Sequence, residues 1–174
     1  MKLGAKTPRS RGFTIVELVT VIILLGILSA VAMPRMMSAN NFSPMTVSHQ
    51  IDQELKLSQA IALSRSDAVI SFQLQLQSGQ WQLTTLSSVD GALKTVLVDQ
   101  DATTIAVTDG VASANLQDGG IFSLQFNHHG DVSAANIGGN AAAINNGIQI
   151  NTGGNAQRTL CVYPTGYVYH ANCV

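Results

Sequence analysis

The sequence predicts an α+β fold: a long N-terminal helix, broken near residues 38–43, packs on an antiparallel β-sheet head. Three observations predict it. Residues 13–33 form an apolar run with one charge, Glu17. Over 44–67 apolar residues recur at helical spacing, at Val47, Ile51, Leu55 and Ala62, with Leu57 and Ile61 alongside. From Val69 the period changes to two, with Ile70, Phe72, Leu74 and Leu76 alternating with Ser71, Gln73 and Gln75. The 174 residues leave room for one modest core beside a membrane segment.

Charge is distributed unevenly. Lys2, Lys6, Arg9 and Arg11 precede Gly12, whereas all ten acids follow it. Without residues 1–12, five basic residues face ten acidic ones, a formal charge of −5. Such a body has little electrostatic basis for gripping phosphate backbones. The 21 residues from Phe13 to Met33 span roughly 31 Å as a helix, about one hydrocarbon core. With basic residues only at its start, the positive-inside rule leaves 1–12 in the cytoplasm and the body outside. Gly26, Ser29 and Ala30 form a small-residue patch suited to close helix approach. Glu17 is costly in such a segment and marks a functional position. A plain single-pass anchor leaves it unexplained. A secretory signal cut after Ala30-Val31-Ala32 would place it at the mouth of the apolar region.

Pro34 is expected to kink the helix at the end of this segment. Asn40-Asn41 disfavour helix, and Ser43-Pro44 reads as an N-cap followed by proline at the first helical position. The helix over 44–67 is amphipathic, with Gln50, Asp52, Gln53, Lys56 and Gln59 on the face turned to solvent or neighbours. Residues 69–86 read as a β-hairpin turning at Ser78-Gly79-Gln80. Further strands are expected at 93–98, 103–108, 121–126, 147–151, 158–163 and 167–170. The Gly/Asn/Ala-rich stretch 136–155 reads as a long surface loop with a short β-like core at Ile148 and Ile150. Cys161 and Cys173 would be a disulfide in an exported protein and two free thiols in a cytosolic one. With a turn at Pro164-Thr165, Cys161 faces Tyr169. The last residues must then curl back, or a neighbouring strand intervene, before the sulfurs meet.

The run Gly12-Phe13-Thr14-Ile15-Val16-Glu17-Leu18, behind a basic leader and ahead of a long apolar helix, resembles the type III signal of type IV pilins and type II secretion pseudopilins. The resemblance implies that a prepilin peptidase cuts between Gly12 and Phe13 and N-methylates Phe13. It implies a leader at 1–12, a transmembrane helix at 13–33, an amphipathic stalk at 34–67 and a periplasmic β-rich head at 68–174. Glu17, one turn below the Phe13 amine, would pair with that amine in its own or a neighbouring subunit and set the register of the helix bundle. Partners would be other major and minor pilins, the inner-membrane assembly platform and the membrane itself, with assembly powered by a separate cytoplasmic ATPase. Export would favour the Cys161–Cys173 disulfide, with 161–173 as a contact region. Leu63-Ser64-Arg65-Ser66-Asp67-Ala68 before a hairpin with Gly79-Gln80-Trp81, Ile121–Phe126 followed by Gly130, and Gly166 before a C-terminal cysteine make the head similar to the minor pseudopilin H and FimT-type minor pilins. The leader and apolar run further resemble minor pilins of the mannose-sensitive haemagglutinin (MSHA) type, particularly the C component.

Other chemistry is sparse. FimT-like DNA receptors carry a basic G-R-x-R-like element where this chain has Gly166-Tyr167-Val168-Tyr169. Tyr163, Tyr167 and Tyr169 could stack on bases, but Arg158 is the one nearby cation, so DNA is not an expected partner. His128, His129 and Asp131 suggest a metal, yet adjacent histidines on a strand point to opposite faces and Gly130-Asp131 is turn chemistry. Asp99, Asp101 and Asp109 offer oxygens for calcium without an EF-hand spacing. There is no G-x-S-x-G, no P-loop and no convincing acid/base pair, so neither catalysis nor a cofactor is expected. The reading is a minor pilin-like structural subunit. A type II secretion pseudopilin is the first alternative and a DNA-uptake minor pilin the second.

Overall fold

The computed structural model describes residues 14–36, 43–154 and 156–173, with side chains of the first segment described through Ser29. The chain divides into two units, residues 1–38 and 39–174. In the first, α1 (Ile15–Met36) begins at Thr14, whose hydroxyl accepts the Glu17 N–H at 3.2 Å. That is half of an S/T-x-x-E capping box, with Glu17 well placed against the helix dipole. α1 runs two residues past Pro34, so the proline does not end it. Every described side chain of α1 is exposed. The expected leader and cleavage site, Gly12 and Phe13 included, lie outside the described residues, as does nearly all of the break at 38–43. Among the described residues no helix is long and apolar enough to cross a membrane.

The second unit starts with α2 (Ser43–Ser64). Its buried stripe of Val47, Ile51, Leu55 and Ala62 matches the helical period. The helix stops three residues before the expected 67. Arg65 donates its N–H to the Ala62 carbonyl and turns its guanidinium onto Asp90. Eleven strands follow: β1 (Ile70–Gln77), β2 (Gln80–Ser87), β3 (Gly91–Asp99), β4 (Thr104–Thr108), β5 (Ser113–Asn115), β6 (Ile121–Phe126), β7 (Val132–Ile137), β8 (Asn140–Ala141), β9 (Ile148–Gly153), β10 (Arg158–Val162) and β11 (Val168–Tyr169).

They build two antiparallel sheets rather than one. The first runs β3-β2-β1-β6-β7-β8 and the second β11-β10-β9-β4-β5. Each sheet joins two strand meanders, so β1 pairs with β6 and β4 with β9. The predicted hairpin forms with Gln77 opposite Gln80, leaving Ser78-Gly79 as its two-residue turn. The loop expected over 136–155 is a correction. β7 ends and β8 and β9 lie within it, leaving 142–147 as connection. Small Ala and Asn residues give a weak strand signal, but burial of Val132, Ala135 and Ile137 against β6 overrides it. β5 and β7 are missed for the same reason.

α2 packs across β1, β2 and β6 of one sheet and β9, β10 and β11 of the other. The core therefore draws on both sheets: Phe72, Leu74, Trp81, Leu83, Phe122 and Leu124 meet Ile105, Val107, Ile148, Ile150 and Leu160. Each such side chain contributes about 1.5–3 kcal/mol on burial. Core residues run from Val47 to Val168, so the head is a self-contained folding unit.

Ser58 and Glu54, both buried on α2, are paired with groups on other elements. Ser58 Oγ lies 2.8 Å from both the Glu54 carbonyl and Thr85 Oγ1. The carbonyl can only accept, so Ser58 donates to it and accepts from Thr85. The nearly buried Glu54 carboxylate receives Lys94 Nζ at 2.6 Å and Gln50 Nε2 at 3.1 Å, joining α2 to β3.

Candidate functional site

Two regions carry the residues singled out by the sequence. At the start of α1, Glu17 sits in the first turn and Thr20 Oγ1 donates to its carbonyl at 2.9 Å. Ser29 likewise donates back to the Leu25 carbonyl, at 2.7 Å. These bonds leave the Glu17 carboxylate exposed beside Ile15, Val16 and Leu18, themselves 62–82% exposed. Apart from Glu17, Thr20, Gly26 and Ser29, the residues of α1 through Ser29 are apolar. Thr14 caps the helix through the Glu17 backbone N–H, as the T-x-x-E pattern signals.

The second region is the end of the head where three segments meet. Gln59 has one amide NH2, and it donates to the Gly130 carbonyl at 3.0 Å and to the Thr165 carbonyl at 3.1 Å. Val132 donates its N–H to the Pro164 carbonyl at 2.7 Å. α2, the β6–β7 turn and the β10–β11 turn are thereby fixed together. Gly166 has φ +75°, and a Cβ there would overlap the Gly130 carbonyl oxygen and the Gln59 amide. Gly130, at φ +81°, has Leu63 and Gln59 against the same position. Both glycines are required by geometry. Gln59 was expected on a solvent face with Asp52, and both are corrections. Asp52 is buried, with one carboxylate oxygen 2.8 Å from Lys56 Nζ and 3.8 Å from His170 Nε2. The helix face is narrower than the period suggests because the C-terminal strand covers its flank.

Beyond that turn, Cys161 pairs with Tyr169 as expected, and Gln149 lies on its other side. The chain then curls back, Cys173 donates its N–H to Gln149 Oε1, and Cys161 and Cys173 are disulfide-bonded with their Cα atoms 5.2 Å apart. Tyr163, Tyr169 and Tyr167 stack in that order, with neighbouring ring centroids 5.3 and 6.1 Å apart and planes inclined by 18°. The Tyr169 hydroxyl lies 3.0 Å from the Asn172 carbonyl and 3.2 Å from the Tyr163 hydroxyl. The bond to Tyr163 and desolvation push its pKa up to about 12. Beside the stack a shallow groove of about 380 Å³ is lined by uncharged residues, among them Thr104, Asn151, Gln157, Thr159 and Asn172. The rings are committed to one another, and the groove offers no cation for a phosphate.

The expected oxygen cluster does not converge. Asp99 accepts from Gln80 Nε2 and Asp101 from the Ser43 hydroxyl. Asp109 accepts three backbone N–H groups, from Val111, Ala112 and Ala143, which hold its carboxyl below the ordinary carboxylate range. His128 and His129 lie in the β6–β7 turn with ring centroids 3.9 Å apart, not on opposite faces of a strand. Asp131 bonds to Asn127 within the same turn. Among the described residues no group of three or more His, Cys, Asp or Glu could hold a metal ion.

Residues 7–33 match the family model described as the prokaryotic N-terminal methylation motif. The chain carries a prepilin-type signal. The match takes in residues 7–14 and α1 through Met33, and it supports a type IV pilin-like or pseudopilin subunit processed by a prepilin peptidase. No curated protein and no solved structure matches the chain.

Proposed function

We propose that this chain is a minor pilin-like structural subunit that helps initiate or assemble an MSHA-type type IV pilus. The carrying observation is the methylation motif over 7–33 joined to a helix whose described side chains are all exposed and apolar but for Thr14, Glu17, Thr20, Gly26 and Ser29. In this reading the peptidase cuts between Gly12 and Phe13 and methylates Phe13. Residues 13–33 hold the chain in the inner membrane with residues 1–12 cytoplasmic, 34–67 form the stalk, whose α2 packs into the core of the head, and 68–174 form the periplasmic head that later reaches the cell surface. Glu17 pairs with the Phe13 amine of its own or an adjacent subunit, which neutralises both charges and fixes the slide of one helix past the next. Pro34 adjusts the course of the helix without ending it. The role is structural, not catalytic.

The same motif supports a pseudopilin of a type II secretion system, in which the anchor serves a protein-pushing piston. A DNA-uptake role has the least support: the tyrosines stack on each other and the body is acidic. Mass spectrometry of the mature N-terminus tests the reading. N-methyl-Phe13 is expected, whereas a mature chain starting at Met33 would replace it with simple secretion. A gel shift with residues 43–174 at physiological salt is expected to show no complex with DNA.

A further inference from the structure

Along β9 the side chains alternate: Ile148, Ile150 and Thr152 turn into the head, while Gln149, Asn151 and Gly153 take the opposite face. Ala106 of β4 and Thr159 of β10 lie opposite Asn151 on that outer face. The groove of about 380 Å³ runs over these residues. Gln157, from the β9–β10 connection, and Asn172, from the C-terminal segment, also line it.

The central amide of the groove is held in one orientation. The disulfide brings Cys173 onto this face, and its backbone N–H donates to Gln149 Oε1 at 3.3 Å. A backbone N–H can only donate, so Gln149 must present Nε2 to its other neighbour. The atom that receives it, at 3.1 Å, is Asn151 Oδ1. The Thr159 hydroxyl donates to the same oxygen at 2.9 Å. Asn151 is left with an oriented NH2 that has no partner among the described residues. The Thr104 hydroxyl and the side-chain amides of Gln157 and Asn172 also make no hydrogen bond among the described residues. The Tyr169 hydroxyl fixes the Asn172 main chain, 3.0 Å from its carbonyl.

The chemistry of this lining selects a ligand class. No charged side chain lines the groove, so phosphate, carboxylate and ammonium groups find no counter-ion. β10, β9 and β4 are each paired on both sides, so no strand edge is open to a peptide backbone. There remain neutral donors and acceptors around a floor that includes the small residues Ala106 and Gly153. A pyranose ring matches both parts. Its hydroxyls donate and accept in turn, and its C–H face can lie on small residues. We propose that this groove binds a neutral sugar unit of an oligosaccharide or polysaccharide. The site lies wholly within the head and stands whether or not α1 joins a fibre.

The test uses the full chain, disulfide intact, in a zwitterionic detergent without a sugar headgroup. Cellohexaose, maltohexaose and chitohexaose are titrated separately while side-chain amide signals are followed by NMR. At least one is expected to bind with a Kd of about 0.1–10 mM. It should shift the NH2 signals of Asn151, Gln157 and Asn172 and leave those of Gln73 and Gln75, on β1 of the other sheet, unmoved. Asn151→Asp keeps the accepting oxygen and removes the donor, and is expected to weaken binding about tenfold. Ala106→Leu fills the floor from the solvent side and is expected to abolish binding with the thermal midpoint retained. Failure of all three sugars to move the groove signals overturns the proposal. So does binding that both substitutions leave unchanged.

Discussion

α1 and α2 have the same length, 22 residues, and opposite fates. α2 hides one stripe under two sheets and meets the rest of the head through Gln59, Ser58 and Glu54. α1 exposes every described side chain, and those are mostly Ile, Val and Leu. One helix is part of a folded core, whereas the described side chains of the other are all exposed. Substitutions should therefore separate cleanly: changes in α1 alter assembly and leave head stability alone, and changes under α2 do the reverse.

The largest expected effect falls on α1. Glu17→Ala should abolish incorporation into the fibre while the thermal midpoint of the head stays where it was. Thr14→Ala sharpens the point, since it removes the cap at about 1 kcal/mol of helix stability and keeps the carboxylate. Incorporation of T14A together with loss in E17A, read by blotting sheared fibres, assigns the effect to charge pairing; equal loss in both would assign it to capping. In the head, Phe72→Ala should cost about 3–5 kcal/mol in denaturant unfolding, because Phe72 is fully buried between α2 and the sheets.

Replacing Cys161 and Cys173 together by Ser should cost about 2–3 kcal/mol, the range for so short a loop. The smallest effect is spectroscopic. With its folded pKa raised to about 12 from an ordinary 10, neutral Tyr169 contributes stability that is complete below the unfolded value and lost as pH rises through the folded one. Ultraviolet titration should show one late tyrosine, and Tyr163→Phe should move it back toward 10. A single transition for all three tyrosines would mean that the hydroxyl pair does not form in solution.

Legibility in the sequence follows the strength of the local pattern. Ile70–Gln77 and Ile121–Phe126 alternate large apolar with polar residues and are read to within a residue. The partner of β6 is missed, because Val132–Ile137 has only Val and Ile at its ends and Ser, Ala and Asn between. At the N-terminus, Gly12, Phe13 and Glu17 stand out because a charge in an apolar run is rare. The junction around Gln59 does not, since its two acceptors lie 71 and 106 residues away. Gly130 and Gly166 are visible as letters, and the reason for them appears only when the two turns are seen to touch.

That touching has a mechanical side. Both protons of one amide on α2 are spent on carbonyls from two turns, one between β6 and β7 and the other between β10 and β11. A tensile load entering through α2 is thus handed at once to both sheets, and the cross-linked C-terminal loop follows one of those anchor points. The head would yield as a whole before its outermost loop let go.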